Sequence, residues 1–530
     1  MKKRIIPLLV SSLVFGLMTN ANAAGISAGD LIVSKTIYSD TGAAAGLVAG
    51  TSILPNGGTA IGDGSFANVF TNETPDASFG VTSAIYLDEY NSSGTGTALQ
   101  TINVDTSQIV SSFASKSELA LNVSSDGSSV SFMGYSAPVG ALDVSNSNTA
   151  AVFDSTNPVT STYSRAIGTV NLNTGALSTI DVNAYSGNNG RAAALVNGNY
   201  YMVGNAGNGS ATGNTLSNLS NNTGVQMISA TGSGNTTVVG APQGTYGSAN
   251  GYQNGFSVAN AAPGISYTAD KTGKDDNFRG LTVFNNTLYV TKGSGSNGIN
   301  TVYQVGNQGD LANPSFNPST AAITIMPGFN TALEKPLEAA GSNAATNHPF
   351  GLWFANSTTL FVADEGDGKL TTDATKHTDY AGLQEWVLSG GTWSKSATFQ
   401  QGLIGQTSTS GTNGLNWNVT QDGLRNITGR VNADGTYTII GTTSTVSNIG
   451  NHDLGADPNE IVSITIGAGS TGANTAFTVL QSADVGTRLG GVAFAPSSIA
   501  AVPEPETYGM MLGGLGLIGF IARRRKDAKK

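Results

Sequence analysis

A chain of 530 residues with 70 glycines, no cysteine and 11% charged residues excludes a disulfide-stapled scaffold and is too poor in charged helix formers for a helical bundle. Its formal charge of −10 at pH 7 argues against nucleic acid and anionic membrane surfaces as partners, since both would repel it. The abundance of Gly, Ser, Thr and Asn suits an all-β body with polar, uncharged solvent faces.

The chain opens with Lys2, Lys3 and Arg4, an apolar run from Ile5 to Met18, and the small residues Ala21, Asn22 and Ala23. This is the three-part order of a secretory signal peptide, so residues 1–23 are expected to be removed and Ala24 to begin the mature chain. The apolar run falls short of the ~20 residues of a spanning helix, which disfavours an uncleaved anchor. Without residues 1–23 and 523–530, 15 Lys and Arg face 33 Asp and Glu, a net charge of −18. Divalent cations are compatible with such a body.

Residues 24–500 carry an internal strand-turn-strand repeat. One copy runs from Arg191 to Val196, turns at Asn197-Gly198 and returns through Tyr200 to Val203; another runs from Arg279 to Phe284, turns at Asn285-Asn286 and returns through Leu288 to Val290. A third has Phe350 to Phe354, a turn from Asn356, and Leu360 to Val362. Looser copies run Glu118–Val123 through Asp126-Gly127 to Val130–Met133, and Arg425–Val431 through Asp434-Gly435 to Tyr437–Ile440. Asn and Gly at these turns tolerate the positive φ that a tight hairpin requires.

The copies beginning at Arg191, Arg279, Phe350, Arg425 and Arg488 start 63 to 88 residues apart, longer than the ~40–50 of compact propeller repeats, so the extra residues are expected in loops. The copy at Arg488 has a first strand, Leu489 to Phe494, that Pro496 ends, and no return strand follows. Asp30 to Lys35 resembles Leu288 to Lys292 and fills that gap. Further hairpins follow, such as Ala166–Leu172 with Ala176–Val182 and Gly382–Leu388 with Thr392–Phe399; Ser83–Tyr90 with Ala98–Val104 would complete the shared unit. The expectation is a β-propeller of six four-stranded blades, the last closed by the N-terminal strand so that no sheet edge stays open. A β-helix or packed sandwiches would also suit this composition, but a β-helix would show a shorter coil repeat, and none is present.

The C-terminus carries Val502, Pro503, Glu504 and Pro505, an apolar stretch from Tyr508 to Ala522 with Gly509 and Gly513 at small-xxx-small spacing, then Arg523, Arg524, Arg525 and Lys526. The prolines stop a helix from running back into the body, the apolar stretch partitions into a bilayer, and the cations hold its end on the cytoplasmic face. This order resembles the PEP-CTERM sorting signal, also catalogued as an ice-binding-protein C-terminal domain. The resemblance implies a Gram-negative exported protein with a short transmembrane-like helix, processed by an exosortase-type membrane enzyme and delivered to the cell surface or extracellular matrix. A plain C-terminal anchor is the alternative. The body in turn resembles a group of exported bacterial proteins of unassigned activity, through Leu87-Asp88-Glu89-Tyr90 and the turn Ser124 to Gly127.

Of the body's arginines, Arg191, Arg279, Arg425 and Arg488 stand at the start of innermost strands. In a propeller they would crowd one channel mouth, where converging guanidinium forks suit an anion or carboxylate. Alternatively each pairs with a nearby carboxylate, Asp275 or Asp276 for Arg279 and Asp484 for Arg488, and fastens blade to blade. His348 lies two residues before Phe350 and would join the mouth; His377 stands apart, and His452-Asp453 with Asp457 matches no zinc spacing. Asp364, Glu365 and Asp367 follow a return strand, where a loop of hard oxygens would take Ca²⁺, although the alternation of an EF-hand loop is missing. Catalytic elbows, P-loops and dinucleotide fingerprints are absent from the sequence.

Three functions therefore compete. One is an exported, non-catalytic surface or matrix protein whose propeller binds an exopolysaccharide or another surface protein. The second is a cation-dependent enzyme of lyase, lactonase or phosphoesterase type at the channel mouth. The third is an ice-binding protein, for which only Thr442, Thr443 and Thr445 suggest a threonine ladder.

Overall fold

The computed structural model describes residues 25–60, 80–207, 221–240, 243–244, 252–253, 274–295, 297–334, 337, 347–368, 381–410, 417–447 and 455–497. The leader, the C-terminal tail with its expected helix, His377 and His452 lie outside them.

The described chain is all-β; six antiparallel sheets are arranged as the blades of a propeller, beside two short two-stranded pairs, Ser147–Asn148 with Val159–Thr162 and Gln243–Gly244 with Tyr252–Gln253. The first blade holds Asn122–Val123, Ser129–Ser136, Ser164–Asn171 and Leu177–Val182. The second holds Gly190–Val196, Asn199–Gly204, Gly224–Ser229 and Thr237–Val238. The third is Leu281–Phe284, Thr287–Lys292, Thr301–Val305 and Ile323–Ile325, and the fourth Pro349–Asn356, Thr359–Asp364, Gly382–Ser389 and Thr392–Phe399.

The fifth blade departs from the expected four strands. Its inner strand, Trp417–Val431, and its second, Tyr437–Ser447, extend well beyond the repeat, and Thr407–Ser410 pairs with the extension of the first to make a five-stranded sheet with Glu460–Ile466 and Thr478–Ser482. The run before Arg425 alternates poorly in hydrophobicity, so its strand character comes from pairing rather than from a periodic pattern. Conversely, the expected inner strand from Glu118 is regular only at Asn122–Val123, because Leu119 takes a φ of 74°, which breaks a strand.

The shared blade forms as expected. Inner strand Thr487–Phe494 pairs antiparallel with Leu31–Ile37, which pairs with Thr82–Tyr90 and then Gln100–Asn103, with Ser111–Ser112 added at the start of Thr82–Tyr90. The register sets Leu31 opposite Phe494 and Ile37 opposite Thr487. The Leu87 to Tyr90 segment braces this closure: Asp88 pairs with Lys35 at 2.5 Å, and Glu89 accepts the Ser27 N–H at 2.6 Å. Asn197-Gly198 has φ values of 49° and 79°, and Asn285-Asn286 47° and 54°, the positive-φ pairs that the twist of tight hairpins favours.

Neighbouring inner strands meet backbone to backbone. A Cβ on Gly280 would lie 1.8 Å from the Phe350 carbonyl, and one on Gly491 would lie 2.4 Å from that of Leu119, so only glycine permits the approach. At three of the junctions a hydroxyl on the second strand ties one blade to the next. Ser34 Oγ accepts from Gly491 N–H at 2.6 Å and donates to Leu119 C=O at 2.7 Å, joining the closing blade to the first. Thr291 Oγ1 accepts from Gly280 N–H at 2.8 Å and donates to Phe350 C=O at 2.6 Å, joining the third blade to the fourth. Ser131 Oγ donates to Ala193 C=O at 2.8 Å between the first blade and the second.

Outside this inner ring, apolar side chains fill the space between blades. Phe284 stacks on Phe354 at 4.7 Å between the third blade and the fourth, and Trp353 meets Tyr437 edge-on at 6.2 Å between the fourth and the fifth. Arg165 is fully buried in the first blade and donates to the carbonyls of Ser145, Ser147, Tyr163 and Asn188. Burial lowers it to about 10, and it ties the Val144–Asn146 turn to the sheet.

Ser34→Ala and Thr291→Val each strand a buried N–H and a buried carbonyl. Each is expected to lower the unfolding free energy by about 1–3 kcal/mol, and the two losses should add because the junctions are separate. Denaturant melts of the single and double variants check this, and unchanged stability in the Ser34→Ala protein would remove the closing junction from the account.

Candidate functional site

The six inner strands start at one face of the ring, and at or near their starts stand Glu118, Arg191, Arg279, Phe350, Arg425 and Arg488. Irregular pairing aims their side chains. The ladder shifts register at Gly190/Ala192 around Arg191, at Leu424/Ile427 around Arg425, at Pro349/Leu352 around Phe350, and opposite Ser34 just after Leu489. In the third blade Thr291 accepts from Arg279 N–H and donates to Gly280 C=O, so two inner residues face one. A bulge of this kind breaks the in-out alternation and re-aims a side chain.

The four arginines singled out in the sequence are linked in part: Arg191 feels the charge of Arg279, Glu118 and Glu365, Arg488 that of Glu118, and Arg425 pairs with Glu365. Arg191 is buried and donates through Nη1 to Phe278 C=O at 2.6 Å and to Asn277 Oδ1. Its Nε is buried without a hydrogen-bond partner. Burial, and next the charge of Arg279, push its guanidinium well below the usual arginine range, while Glu118 and Glu365 pull the other way. Arg279 donates to Ser294 Oγ at 2.7 Å, reaches Ser117 of the first blade, and lies over the Phe350 ring at 5.9 Å. Arg425 pairs with Glu365 at 3.1 Å. Arg488 is buried and acts on Glu118.

Glu118 is the principal site residue that sequence reasoning left out. It is buried, accepts from Tyr135 Oη at 2.6 Å, and has its carboxyl raised by burial against the opposing influence of Tyr135 and Arg488. Its signal was its place at the start of the irregular first copy. Glu118 thus faces Arg191 and Arg488 electrostatically, and Glu365 faces Arg191 and Arg425.

His348 joins this face through the backbone, donating its N–H to Asp364 Oδ2 at 2.8 Å, with Nδ1 3.1 Å from Gly293 O. Asp364 also takes the Gly366 N–H at 3.0 Å, and burial raises its carboxyl. Of the proposed Ca²⁺ loop, Asp364 therefore ties down its own turn, Glu365 faces Arg425, and Asp367 is partly exposed. Among the described residues no three His, Asp or Glu side chains are grouped to hold a metal ion. Thr442, Thr443 and Thr445 are buried in the fifth blade rather than ranged on a surface.

Below the mouth the inner strands line an axial cavity of about 300 Å³, walled by residues such as Leu281, Leu352, Ile427 and Val492 and reaching Phe494 and Pro496 at the opposite face. The site is thus an arginine-bearing mouth over a shaft of mixed lining, with Asn122, Thr282, Asn426 and Thr428 among its walls.

Asp276 is fully buried beside Lys274 and Lys292, and burial raises its carboxyl to about 7. Because this lies above the unfolded-chain value of 3.8, the native state holds the extra proton, and stability falls as pH rises through that window. Asp276→Asn is expected to flatten the melting temperature between about pH 5 and about pH 8 relative to the parent. Parallel thermal scans over that range would settle it, and identical slopes would contradict the assignment.

Residues 501–526 match the PEP-CTERM protein-sorting motif. No curated protein matches the chain, so the likeness of the body to other exported proteins has no support from a curated relative.

Proposed function

Taking as premise an exported propeller whose residues 501–526 carry the PEP-CTERM sorting signal, which implies a membrane-anchored precursor and processing by an exosortase-type enzyme, we propose that the protein is a non-catalytic binding component of the cell surface or extracellular matrix. Its ligand is an acidic one, a carboxylate-bearing exopolysaccharide segment, held at the arginine mouth. The observation that carries this reading is the grouping of arginine on an otherwise acidic body: buried Arg191, whose Nε has no hydrogen-bond partner, lies in the field of Arg279, Glu118 and Glu365, while Arg425 meets Glu365 and Arg488 acts on Glu118. Guanidinium forks recognise carboxylates bidentately, and a partly desolvated setting strengthens each contact.

The enzyme reading finds less support. Asp364 and Glu365 are engaged by the His348 N–H, the Gly366 N–H and Arg425, which are structural uses. The burial of Thr442, Thr443 and Thr445 takes away the surface that suggested ice binding.

Calorimetric titration of the purified protein with acidic and neutral oligosaccharides, with and without Ca²⁺, tests the proposal. Acidic oligosaccharides are expected to bind with an affinity that falls with salt, and Arg279→Gln to weaken them about tenfold or more, a loss of at least one charge-assisted hydrogen bond. Equal binding of neutral sugars, or an indifferent Arg279→Gln variant, would refute it. For the tail, replacing Pro503 and Pro505 with alanine should leave the protein in the membrane fraction, and normal release would show that the motif is not what the processing enzyme reads.

A further inference from the structure

Each inner strand starts at the arginine mouth and ends at the opposite face, and this fixes where both chain ends leave the propeller. In the closing blade Arg488 stands at the mouth while Phe494 and Pro496 reach the far end of the axial cavity. The N-terminal strand runs antiparallel to it, so Leu31 lies opposite Phe494 at that same far face and Ile37 lies at the mouth. Two hydrogen bonds lock the ends together there: Gly29 N–H donates to Ala495 C=O at 3.1 Å and Ala495 N–H to Asp30 C=O at 2.8 Å. Ile26 N–H, closer still to the leader, donates to Leu172 C=O at the far end of the first blade.

The segment that enters the membrane is therefore tethered to one face. Ten residues separate Ser497, the last described residue, from Tyr508, where the apolar stretch begins, and a chain of that length spans at most about 35 Å when fully extended. The exit is flanked by Arg430, whose guanidinium lies over the Phe494 ring at 5.1 Å and donates to Ser92 C=O at 2.8 Å. Beside it Val431 is 55% exposed, and Leu99, at a strand end of the same face, is 59% exposed. Exposed apolar side chains occur on the mouth side as well, at Val48, Ile53 and Phe153, so apolar exposure alone does not choose between the faces. The direction of the two chain ends does.

We propose that, while the tail is embedded, the propeller rests with its chain-end face, bordered by Leu99, Arg430 and Val431, on the headgroups of the bilayer that holds the tail, and presents the arginine mouth outward. A guanidinium ringed by apolar side chains suits that layer, where the cation meets phosphate and the apolar groups meet the acyl boundary. The mouth is then open to acidic polymers before the tail is cut. This orientation rests on the reading of the tail as membrane-bound and not on the identity of the ligand.

The chain has no cysteine, so one substitution creates a unique label site. Ser357→Cys and Ala433→Cys mark exposed inner hairpin turns of the chain-end face, and Ala45→Cys and Ala151→Cys mark exposed loops on the mouth side. The full-length chain carrying a thiol-linked fluorophore at one of these sites is reconstituted into zwitterionic phosphatidylethanolamine and phosphatidylcholine vesicles, which do not repel the acidic body, containing headgroup spin-labelled lipid. Several-fold stronger quenching at positions 357 and 433 than at 45 and 151 is expected. Equal quenching, or stronger quenching at 45 and 151, overturns the orientation although the protein floats with the vesicles. A chain that fails to float overturns it differently, by removing the membrane-bound tail, and flotation tells the two apart.

Discussion

Close approach of six inner strands around one axis is the constraint on which the rest of the structure depends. Side chains cannot fill the junctions at that radius, so glycine at positions such as Gly280 and Gly491 lets a carbonyl of the next blade come where a Cβ would be. The polar groups brought together must be satisfied, because a buried, unpaired N–H or C=O costs as much as the junction gains. A hydroxyl solves this locally by accepting from the glycine N–H and donating to the neighbouring carbonyl, as Thr291 and Ser34 do in blades on different sides of the ring. Repetition of one device at junctions far apart in sequence is why the ring closes with a strand from the other end of the chain.

The same level of the ring explains the chemistry of the mouth. A bulge needed to bring inner strands together also turns the residue beside it out of the sheet's alternation, so packing and presentation of the arginines share one cause. Burying Arg191, Arg425 and Arg488 is costly unless carboxylates and carbonyl acceptors surround them. Glu118, Glu365 and the Phe278 carbonyl supply part of that compensation. Arginines set into an acidic body select ligands by local contact rather than by long-range attraction.

Closure by a shared blade also joins architecture to sorting. A propeller closed within one contiguous segment would leave its termini free of each other. Here strand Leu31–Ile37 and strand Thr487–Phe494 are hydrogen-bonded neighbours, so leader and tail emerge together. The PEP-CTERM segment is thereby attached at the pole of the ring opposite the arginines.

Much of this was legible in the chain itself. Alternating apolar runs and Asn or Gly turns marked the inner hairpins, and the unfinished copy at Arg488, with its match at Asp30 to Lys35, marked the closure, because period-two patterning and positive-φ turns are local properties. The long fifth-blade strands were not legible, since the segment before Arg425 is held by pairing with Thr407–Ser410 and Tyr437–Ser447 rather than by its own periodicity. Nor was Glu118, whose copy is distorted by the positive φ of Leu119. By itself the sequence determined the fold class, the blade count and the sorting signal, all of which follow from local pattern and order along the chain. Only the tertiary structure decided which carboxylates those arginines meet and which face carries the chain ends, because both depend on contacts between residues tens to hundreds of positions apart.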